Sequence, residues 1–277
     1  MRRFFICGSP KSGTTWAQRI LDEHPKITCS GEGHFIEQIA KPMLGAVDSF
    51  NQTQIVVSEQ VYSGKRYYRH LKPLDTIDSA RLLIDKLMMA RANDQTEIVG
   101  DKTPRYFHWL DDLDLLYRGC AFINVMRDPR DVAVSLLRHA ERQRPGADYA
   151  IGAEGYLKAL KVSTEHWIDA HAKTAVFANK HPGRLLDVCY EKMLADPVGQ
   201  FERMVTHLGV TVSREISETC VGATSFERLS GRKPGQEDKS SFLRKGIAGD
   251  WKNVLRDVDV EYIQNACKEG MQARGYL

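Results

Sequence analysis

The sequence lacks long apolar runs, and this absence argues against a membrane protein. No run approaches the ~18 consecutive apolar residues that a membrane-spanning helix needs, so we expect no membrane partner. The amino-terminal stretch MRRFFICGSP holds only four apolar residues in a row, whereas the core of a secretory signal has about 7–15. We therefore expect a mature, cytoplasmic amino terminus. The composition, 42% apolar and 27% charged, is that of an ordinary globular protein and excludes a disordered, collagenous or coiled-coil chain.

The chain also has little net charge and no paired cysteines. Its 39 Lys and Arg residues exceed its 36 Asp and Glu residues by three, which does not indicate nucleic-acid binding but suits an anionic small ligand. None of the six cysteines forms a C-x-x-C pair, and no Cys/His cluster has zinc spacing, so we expect no metal site. We expect the cysteines to be free, buried thiols of a protein in a reducing compartment.

Short apolar segments alternate with helical segments along the 277 residues. The pattern predicts strands at 4–7, 97–100, 121–126 and 185–189, and helices at about 14–23, 129–141, 153–179, 197–208 and 259–274. This alternation is typical of an α/β fold with a central parallel sheet and helices on both faces. Length alone allows one large domain or two small ones, and we interpret residues 1–277 as a single domain. Because ligands bind at the carboxyl ends of such strands, we expect the site just after residues 7, 100, 126 and 189.

The segment from about residue 47 to 75 has no clear periodicity and is too long for a simple connection. It contains four aromatic residues among several basic ones. Two interpretations stay open: an insertion that forms part of a substrate pocket, and a solvated surface excursion.

The first predicted strand leads into the sequence Gly8-Ser-Pro-Lys-Ser-Gly-Thr-Thr-Trp16. A strand, a glycine-bearing turn and a helix start together form a phosphate loop, whose backbone N–H groups point at an anion. Nucleotide triphosphatases place a lysine directly after the second glycine, but here Thr14 follows Gly13 and the lysine lies inside the loop at Lys11. The alternative needs no ligand: a helix capped by Ser12 or Thr14 after a tight turn.

The segment PKSGTTW resembles the 5′-phosphosulfate loop of sulfotransferases that use 3′-phosphoadenosine 5′-phosphosulfate (PAPS). The resemblance implies a P-loop-like sulfotransferase fold, in which Lys11 stabilises the leaving oxygen. The residues that would hold the 5′-phosphate are Ser12, Gly13, Thr14 and Thr15, with Trp16 packed near the adenine. Two further segments extend the likeness over residues 3 to about 253.

The first of these segments, Arg127-Asp-Pro-Arg-Asp-Val-Ala-Val-Ser135, follows the strongest predicted strand. Asp128 is a plausible N-cap and Pro129 a first helical residue, so neither needs a function. Arg127 is predicted at the strand end, and an arginine fork with the Ser135 hydroxyl suits a phosphate dianion. The alternative is an exposed salt-bridged arginine and a serine bonded to its own helix. The segment resembles the 3′-phosphate motif of the same family.

The second segment lies near the carboxyl terminus and reads Phe242-Leu-Arg-Lys-Gly-Ile-Ala-Gly-Asp-Trp-Lys252. It resembles the family's carboxyl-terminal PAPS signature, which assigns the 3′-phosphate to Arg244, Lys245 and Gly246 and indicates a lid over 231–250. By resemblance, the residues beside the adenine are Tyr190, Thr224 and Phe226. The family's dimer motif K-x-x-x-T-V-x-x-x-E is incomplete, because Arg256 and Asp257 stand in place of Thr-Val. The oligomeric state therefore stays open.

The resemblance implies sulfuryl transfer from PAPS to an acceptor hydroxyl, with adenosine 3′,5′-bisphosphate (PAP) as product and no metal. The acceptor would be a small molecule or a saccharide, and its identity stays open. The alternatives are a P-loop kinase or nucleotide hydrolase, against which the missing lysine after Gly13 counts, and a non-catalytic nucleotide-binding protein of the same fold.

Three residues are candidates for handling the acceptor proton: Glu32, His34 and Lys102. The stretch Lys-Thr-Pro-Arg-Tyr-Phe that begins at Lys102 resembles the K-T-P-x-Y-F segment of carbohydrate sulfotransferases, not the K-T-H-L-P of cytosolic ones. Those carbohydrate enzymes carry an E-x-H-F segment whose glutamate is the base, and Glu32-Gly-His-Phe35 matches it. We expect Glu32 to be the base, then His34, with Lys102 orienting the acceptor or the sulfuryl oxygens. The alternative is that Glu32 caps a helix that begins near His34.

Overall fold

The computed structural model describes all 277 residues and contains one sheet of five strands. The strands are β1 (Arg2–Cys7), β2 (Ile27–Gly31), β3 (Ile98–Lys102), β4 (Ala121–Met126) and β5 (Leu185–Cys189). All neighbouring strands are parallel, and the order across the sheet is β2-β3-β1-β4-β5. The predicted α/β class with a central parallel sheet is therefore confirmed, and β1 lies at the centre of the sheet.

The helices carry most of the chain between and after the strands. They are α1 (Thr14–Asp22), α2 (Lys41–Val61), α3 (Pro73–Met88), α4 (Leu110–Leu116), α5 (Pro129–Gln143), α6 (Glu154–Lys180), α7 (Tyr190–Ala195), α8 (Pro197–His207), α9 (Arg214–Ala223), α10 (Phe226–Ser230), α11 (Trp251–Val254), α12 (Asp257–Ala266) and α13 (Lys268–Arg274). Short 3₁₀ segments cover Met89–Arg91 and Pro104–His108. The helix predicted over 259–274 is two helices, α12 and α13, that meet at Cys267. Sequence periodicity missed β2 and several helices, among them α2 and α3.

Residues of β1 alternate between two buried faces of the sheet. Phe4 and Ile6 pack into a cluster with side chains of α1, α8 and α9, whereas Phe5 and Cys7 pack with side chains of α3, α4 and α6. A strand that is buried on both faces has a continuous apolar run instead of an alternating one. This explains why the first strand could be recognised from only four residues.

The structure also shows the state of the cysteines and the character of the helices. All six cysteines are free, five of them are buried and Cys189 is half-buried. Burial raises the pKa of the Cys7 thiol, which keeps it protonated in the core. No helix combines the length and the apolar character that a membrane crossing requires.

The segment from 47 to 75 is mostly helical, in contrast to its aperiodic sequence. α2 continues to Val61 and α3 begins at Pro73. The connection between these two helices is exposed from residue 61 to 70 and carries Tyr62, Tyr67 and Tyr68. The side-chain amide of Asn51 bonds both the N–H and the C=O of Leu71, which fixes the connection against α2. The 21 residues of α2 place this connection about 30 Å along the helix from its amino-terminal end.

The close packing of Gly100 against β1 gives a prediction about stability. A Cβ atom at Gly100 would lie 2.3 Å from the ring of Phe4, which is fully buried. Gly100→Ala should lower the free energy of unfolding by about 1–3 kcal/mol, as measured by urea denaturation. Gly45 in α2 has no atom within 4 Å of the same position, so Gly45→Ala should leave stability unchanged or raise it. Equal stability of the two variants would contradict this packing.

Candidate active site

The carboxyl ends of β1, β2 and β3 bring three predicted segments to one edge of the sheet. In the strand register, Lys102 pairs with Ile6 of β1 on one side and with Gly31 of β2 on the other. The loop after β1 (residues 8–13), the turn after β2 (residues 32–34) and Lys102 at the end of β3 therefore start at the same level. Cys7 pairs with Asn124, which places the end of β4 beside them.

The loop after β1 leaves polar groups without protein partners. Gly13 precedes α1 with φ +98°, and a Cβ there would lie 2.5 Å from the ring of Tyr190, so only glycine fits. No side chain caps α1, so the alternative of a cap by Ser12 or Thr14 is not observed. The hydroxyls of Ser9 and Ser12 are buried without a hydrogen-bond partner. Uncapped helix amides and unpartnered buried donors together form a site suited to an anion.

Lys11 projects from this loop into a partly buried position. Its Nζ lies 4.6 Å from the centre of the Phe242 ring. Burial, followed by the charge of Arg142, lowers the pKa of Lys11 to about 8, and Glu32 acts in the opposite direction. Lys11 is therefore still mostly a cation at neutral pH.

Three of the candidate catalytic residues have a strained backbone. The four non-glycine residues with positive φ are Lys11 (75°), Glu32 (61°), His34 (46°) and Ser63 (52°). Such conformations cost on the order of 1–3 kcal/mol each and persist where the surrounding structure imposes them. Glu32 stands between Gly31 and Gly33, but the left-handed positions in this turn are Glu32 and His34 themselves. The strain is concentrated at the edge of the sheet where the predicted chemistry lies.

Glu32 is held by a buried lysine at the end of β3. The Nζ of Lys102 donates to Oε1 of Glu32 at 2.6 Å, and the Lys102 side chain is only 4% exposed, whereas that of Glu32 is 53% exposed. The other carboxylate oxygen, Oε2, lies 3.9 Å from Nε2 of His34. No side chain caps the π-helical turn Ile36–Ala40 that precedes α2, so a capping role for Glu32 is not observed. Glu32 thus has one anchored oxygen and one that is free to accept a proton.

Asp101 shapes the Glu32 turn, a role that was not predicted from the sequence. Its buried carboxylate accepts bonds from the backbone N–H of Gly33 at 3.2 Å and from the hydroxyls of Thr103 and Tyr106 at 3.1 and 2.8 Å. Burial raises the pKa of Asp101, although these bonds act to lower it. Thr103 in turn accepts the N–H of His34 at 3.3 Å. The sequence feature that could have identified Asp101 is its position directly before Lys102, at the end of a predicted strand.

Arg127 follows β4 and stacks on Tyr190. Its guanidinium lies 4.5 Å from the centre of the Tyr190 ring, and Nη2 donates to the carbonyl of Ile247 at 3.0 Å. Its Nε is buried without a partner. Asp128 caps α5 by accepting from the N–H of Arg130, with Pro129 as the first helical residue, so both of these predictions are confirmed. Ser135 lies two turns into α5 and is half-buried.

Asp131 of α5 attaches the carboxyl-terminal segment to that helix, and Asp250 pairs with cations inside the segment; neither set of contacts was predicted from the sequence. Asp131 accepts the N–H groups of Gly249 and Trp251 at 2.6 and 3.0 Å. Asp250 is 1% exposed and accepts Arg244 and Lys245, both at 2.6 Å. Asp131 lies in the motif 127–135 and Asp250 in the motif 242–252. These positions were the only indication in the sequence that the two acids belong to the site.

The remaining candidates form two groups of aromatic contacts. Tyr190 packs edge-on against Trp16, with ring centres 6.0 Å apart. Phe226 packs against Gly246, where φ is +65° and a Cβ would lie 2.4 Å from the ring. The Thr224 hydroxyl is buried and donates to the carbonyl of Cys220 at the end of α9. The bond from Arg127 to Ile247 connects the two groups, because Ile247 directly follows Gly246.

Comparison with known proteins relates this arrangement to one family. A sequence profile described as "Sulfotransferase family" matches residues 3–214. Cytosolic sulfotransferase 17 of Arabidopsis thaliana is 25% identical over 303 residues, covering 99% of this chain and 75% of its own. Sulfotransferase 1B1 of Mus musculus is 28% identical over 279 residues, covering 95% of this chain and 80% of its own.

A solved structure shows the same fold. Mouse sulfotransferase SULT7A1, complexed with PAP, superposes with a TM-score of 0.61 at 18% identity, covering 98% of this chain and 85% of that one. The sequence profile extends from β1 through the phosphate loop, the Glu32 turn and Arg127 to the start of α9. With more than half of the chain matched in this way, the chain belongs to the sulfotransferase family.

Proposed function

We propose that this sulfotransferase moves a sulfuryl group from PAPS to an acceptor hydroxyl at the edge of the sheet formed by β1, β2 and β3. The observation that carries the proposal is a set of buried donors without protein partners around the loop after β1: Ser12 Oγ, Trp16 Nε1 and Arg127 Nε. Unpartnered buried donors are costly unless a ligand satisfies them. The uncapped amino terminus of α1 adds a partial positive charge at the same place.

The donor-binding residues are those that the family resemblance assigns, and this arrangement supports the assignment. PAPS supplies an activated sulfuryl group on a 5′-phosphate that leaves as part of a bisphosphate. The proposed 5′-phosphate ligands are Ser12, Gly13, Thr14 and Thr15, which surround the uncapped start of α1. The proposed 3′-phosphate ligands are Arg127, Ser135, Arg244, Lys245 and Gly246. The aromatic surfaces of Trp16, Tyr190 and Phe226, together with Thr224, would lie against the adenine.

In the proposed mechanism, Lys11 and Glu32 have opposite roles. Lys11 is a half-buried cation and would stabilise the oxygen that becomes charged as the bond to sulfur breaks. Glu32 would accept the acceptor proton at Oε2, since Oε1 is held by Lys102. His34 is the second candidate for the base. Lys102 keeps the carboxylate oriented, and Asp101 fixes the turn that carries it.

Three wider features belong to the same proposal. Residues 1–277 act as one sulfotransferase domain, and the segment 231–250 covers the site, as supported by the contact between Phe242 and Lys11. The acceptor is a small molecule or a saccharide. The segment 47–75 contributes to its pocket through the residues in the first half of α2, because this helix begins shortly after the Glu32 turn. The similarity to cytosolic relatives supports a cytoplasmic location.

Release of PAP tests the proposed function directly. The purified protein should bind PAP, as measured by calorimetry, and should form PAP from PAPS in the presence of a mixture of phenols, alcohols and saccharides, as measured by chromatography. Formation of ADP from ATP under the same conditions would instead support a kinase or nucleotide hydrolase. Binding of PAP without any turnover of PAPS would support a non-catalytic protein.

Discrimination between donors tests the 3′-phosphate ligands. Adenosine 5′-phosphosulfate lacks the 3′-phosphate, and each charged hydrogen bond to that group is worth roughly 1.5–3 kcal/mol. Arg127→Ala should therefore raise the dissociation constant of PAPS by about 10-fold or more and change that of the truncated donor much less. Equal losses for the two donors would argue against the contact.

The pKa of Lys11 gives a pH prediction. Lys11 acts as a cation, so kcat/KM for PAPS should fall as the pH rises through about 8, where the free enzyme loses this proton. Lys11→Arg should remove this alkaline fall, because arginine keeps its proton throughout the range. Lys11→Ala should lower turnover by about 10²–10³-fold while PAP affinity changes little. An unchanged alkaline limb in Lys11→Arg would assign the titration to another group.

Glu32→Gln tests the base. The substitution keeps the shape of the side chain but removes its basicity, so kcat should fall by about 10²-fold or more while the affinity for PAPS stays the same. Glu23→Gln is the control, since Glu23 is exposed after α1 and makes no contact with the site. Full activity of Glu32→Gln together with an inactive His34→Ala enzyme would transfer the role to His34.

A further inference from the structure

One face of α5 continues past the proposed phosphate ligands with two residues that have no assigned role. Ser135, His139 and Arg142 are spaced four and then three residues apart, so they lie on the same face of the helix. All three are half-buried. Arg142 stands seven residues beyond Ser135, about 10 Å further along the axis and away from the amino-terminal end of α5. It is therefore placed beyond the proposed 3′-phosphate site.

Arg142 differs from two arginines of the site, Arg127 and Arg244, and from Arg138 on the same helix, because no carboxylate forms an ion pair with it. Its Nη1 donates to the carbonyl of Ser241 at 3.1 Å, and its Nη2 donates to Nδ1 of His139 at 2.8 Å. Arg127, Arg138 and Arg244, by contrast, each form an ion pair with Asp131, Glu141 and Asp250 respectively. Two neutral acceptors leave most of the guanidinium's five N–H donors, and its whole charge, available to a ligand.

Arg142 and Lys11 contact adjacent residues of the segment 231–250. Arg142 holds the carbonyl of Ser241, and the next ring, Phe242, covers the Nζ of Lys11. The charge of Arg142 accordingly contributes to the lowered pKa of Lys11, after burial. The carboxylate that faces these cations is Glu32, and Lys102 already binds it at 2.6 Å. Positive charge is therefore in excess beside the proposed reaction centre.

His139 adds a second donor of fixed direction. An arginine only donates, so Nδ1 of His139 must accept, and the proton of the neutral ring is then on Nε2. Burial, followed by the charges of Lys11 and Arg142, lowers the pKa of His139, which keeps the ring neutral at pH 7. With Nδ1 occupied and Nε2 protonated, His139 is a hydrogen-bond donor and not a second base.

We propose that Arg142, together with the Nε2–H of His139, binds an oxyanion carried by the acceptor near its reacting hydroxyl. This inference rests on the proposed sulfuryl transfer and narrows its acceptor to an anionic alcohol, phenol or saccharide. A structural tie between α5 and the segment 231–250 would need only one neutral donor to the carbonyl of Ser241. An uncompensated guanidinium exceeds that need, and carboxylate and sulfate groups match its paired N–H donors.

Matched acceptors provide the test. The probes are two pairs that differ in charge, 4-hydroxyphenylacetate against 4-hydroxyphenylacetamide and glucuronate against glucose. Their binding to the PAP-loaded enzyme is measured by calorimetry, and their kcat/KM with PAPS by PAP release. The wild type should favour the anionic member of at least one pair by roughly 10-fold or more, the scale of one charged hydrogen bond.

Variants on α5 separate this subsite from a folding effect. Arg142→Ala should reduce the preference to near one while the neutral member and PAP bind as before, and Arg142→Lys should retain only part of it. His139→Leu should weaken the binding of the anionic probe. His139→Gln keeps a hydrogen-bond donor, so it should weaken this binding less. Arg138→Ala is the matched control, because Arg138 lies on the same helix and is paired with Glu141, and it should leave the preference unchanged.

The outcomes distinguish the subsite from the function on which it rests. The subsite alone is overturned if the wild type binds PAP but does not prefer the anionic probe of either pair. Failure of the PAP-loaded enzyme to bind any of the four probes counts as the same outcome. A preference that persists in Arg142→Ala overturns it as well. Failure of the wild type to bind PAP or to turn over PAPS would instead overturn the proposed function.

Discussion

Concentrated positive charge at the carboxyl edge of the sheet is the constraint on which the rest of the site depends. Parallel strands deliver Lys102 and Arg127 to one place, and the loop after β1 adds Lys11. These cations repel one another, so each must be held in position while its N–H groups stay available to a ligand. The chain meets this requirement with buried carboxylates that fix the position of a cation: Asp131 beside Arg127 and Asp250 under Arg244 and Lys245.

Backbone strain accompanies this concentration of charge. Lys11, Glu32 and His34 hold left-handed conformations that these residue types rarely adopt. The turn after β2 keeps its shape because Asp101 and Thr103 bind the N–H groups of Gly33 and His34. The rigid strands impose this strain, and it fixes the position of Glu32 Oε2, the proposed proton acceptor.

Motif resemblance identified the candidate site residues, whereas most of the groups that hold them in place were not predicted. The fold class followed from β1 and β4, whose double burial produces continuous apolar runs, and Lys11 and Glu32 followed from motif resemblance. Asp101 and Asp131 were not assigned, because each binds backbone N–H groups far along the chain that no local pattern reveals. Asp250 was not assigned although the cations that it binds are only five and six residues away. The helices α2 and α3 were missed for a related reason. α2 buries only Asn51 and Ser58, and α3 buries one residue in each turn, Thr76, Ala80, Ile84 and Met88, so neither helix has a broad apolar face. Arg142 carried no motif, and only the absence of a nearby carboxylate distinguishes it from Arg138.

The balance of charge differs between the two ends of the site. Around the proposed 3′-phosphate position, three cations are met by three carboxylates: Arg127, Arg244 and Lys245 against Asp131, Asp250 and Glu237. Around the proposed reaction centre, three cations are met by one carboxylate: Lys11, Lys102 and Arg142 against Glu32. A nucleotide phosphate would therefore be recognised mainly by oriented donors, and its binding would need little net charge. In the proposed reaction, the charge of Lys11 lies where an oxygen becomes anionic during transfer, so its electrostatic attraction grows as the reaction proceeds, which is the condition for catalysis. The charge of Arg142 would instead act on an anion that the acceptor already carries, and so would contribute to binding.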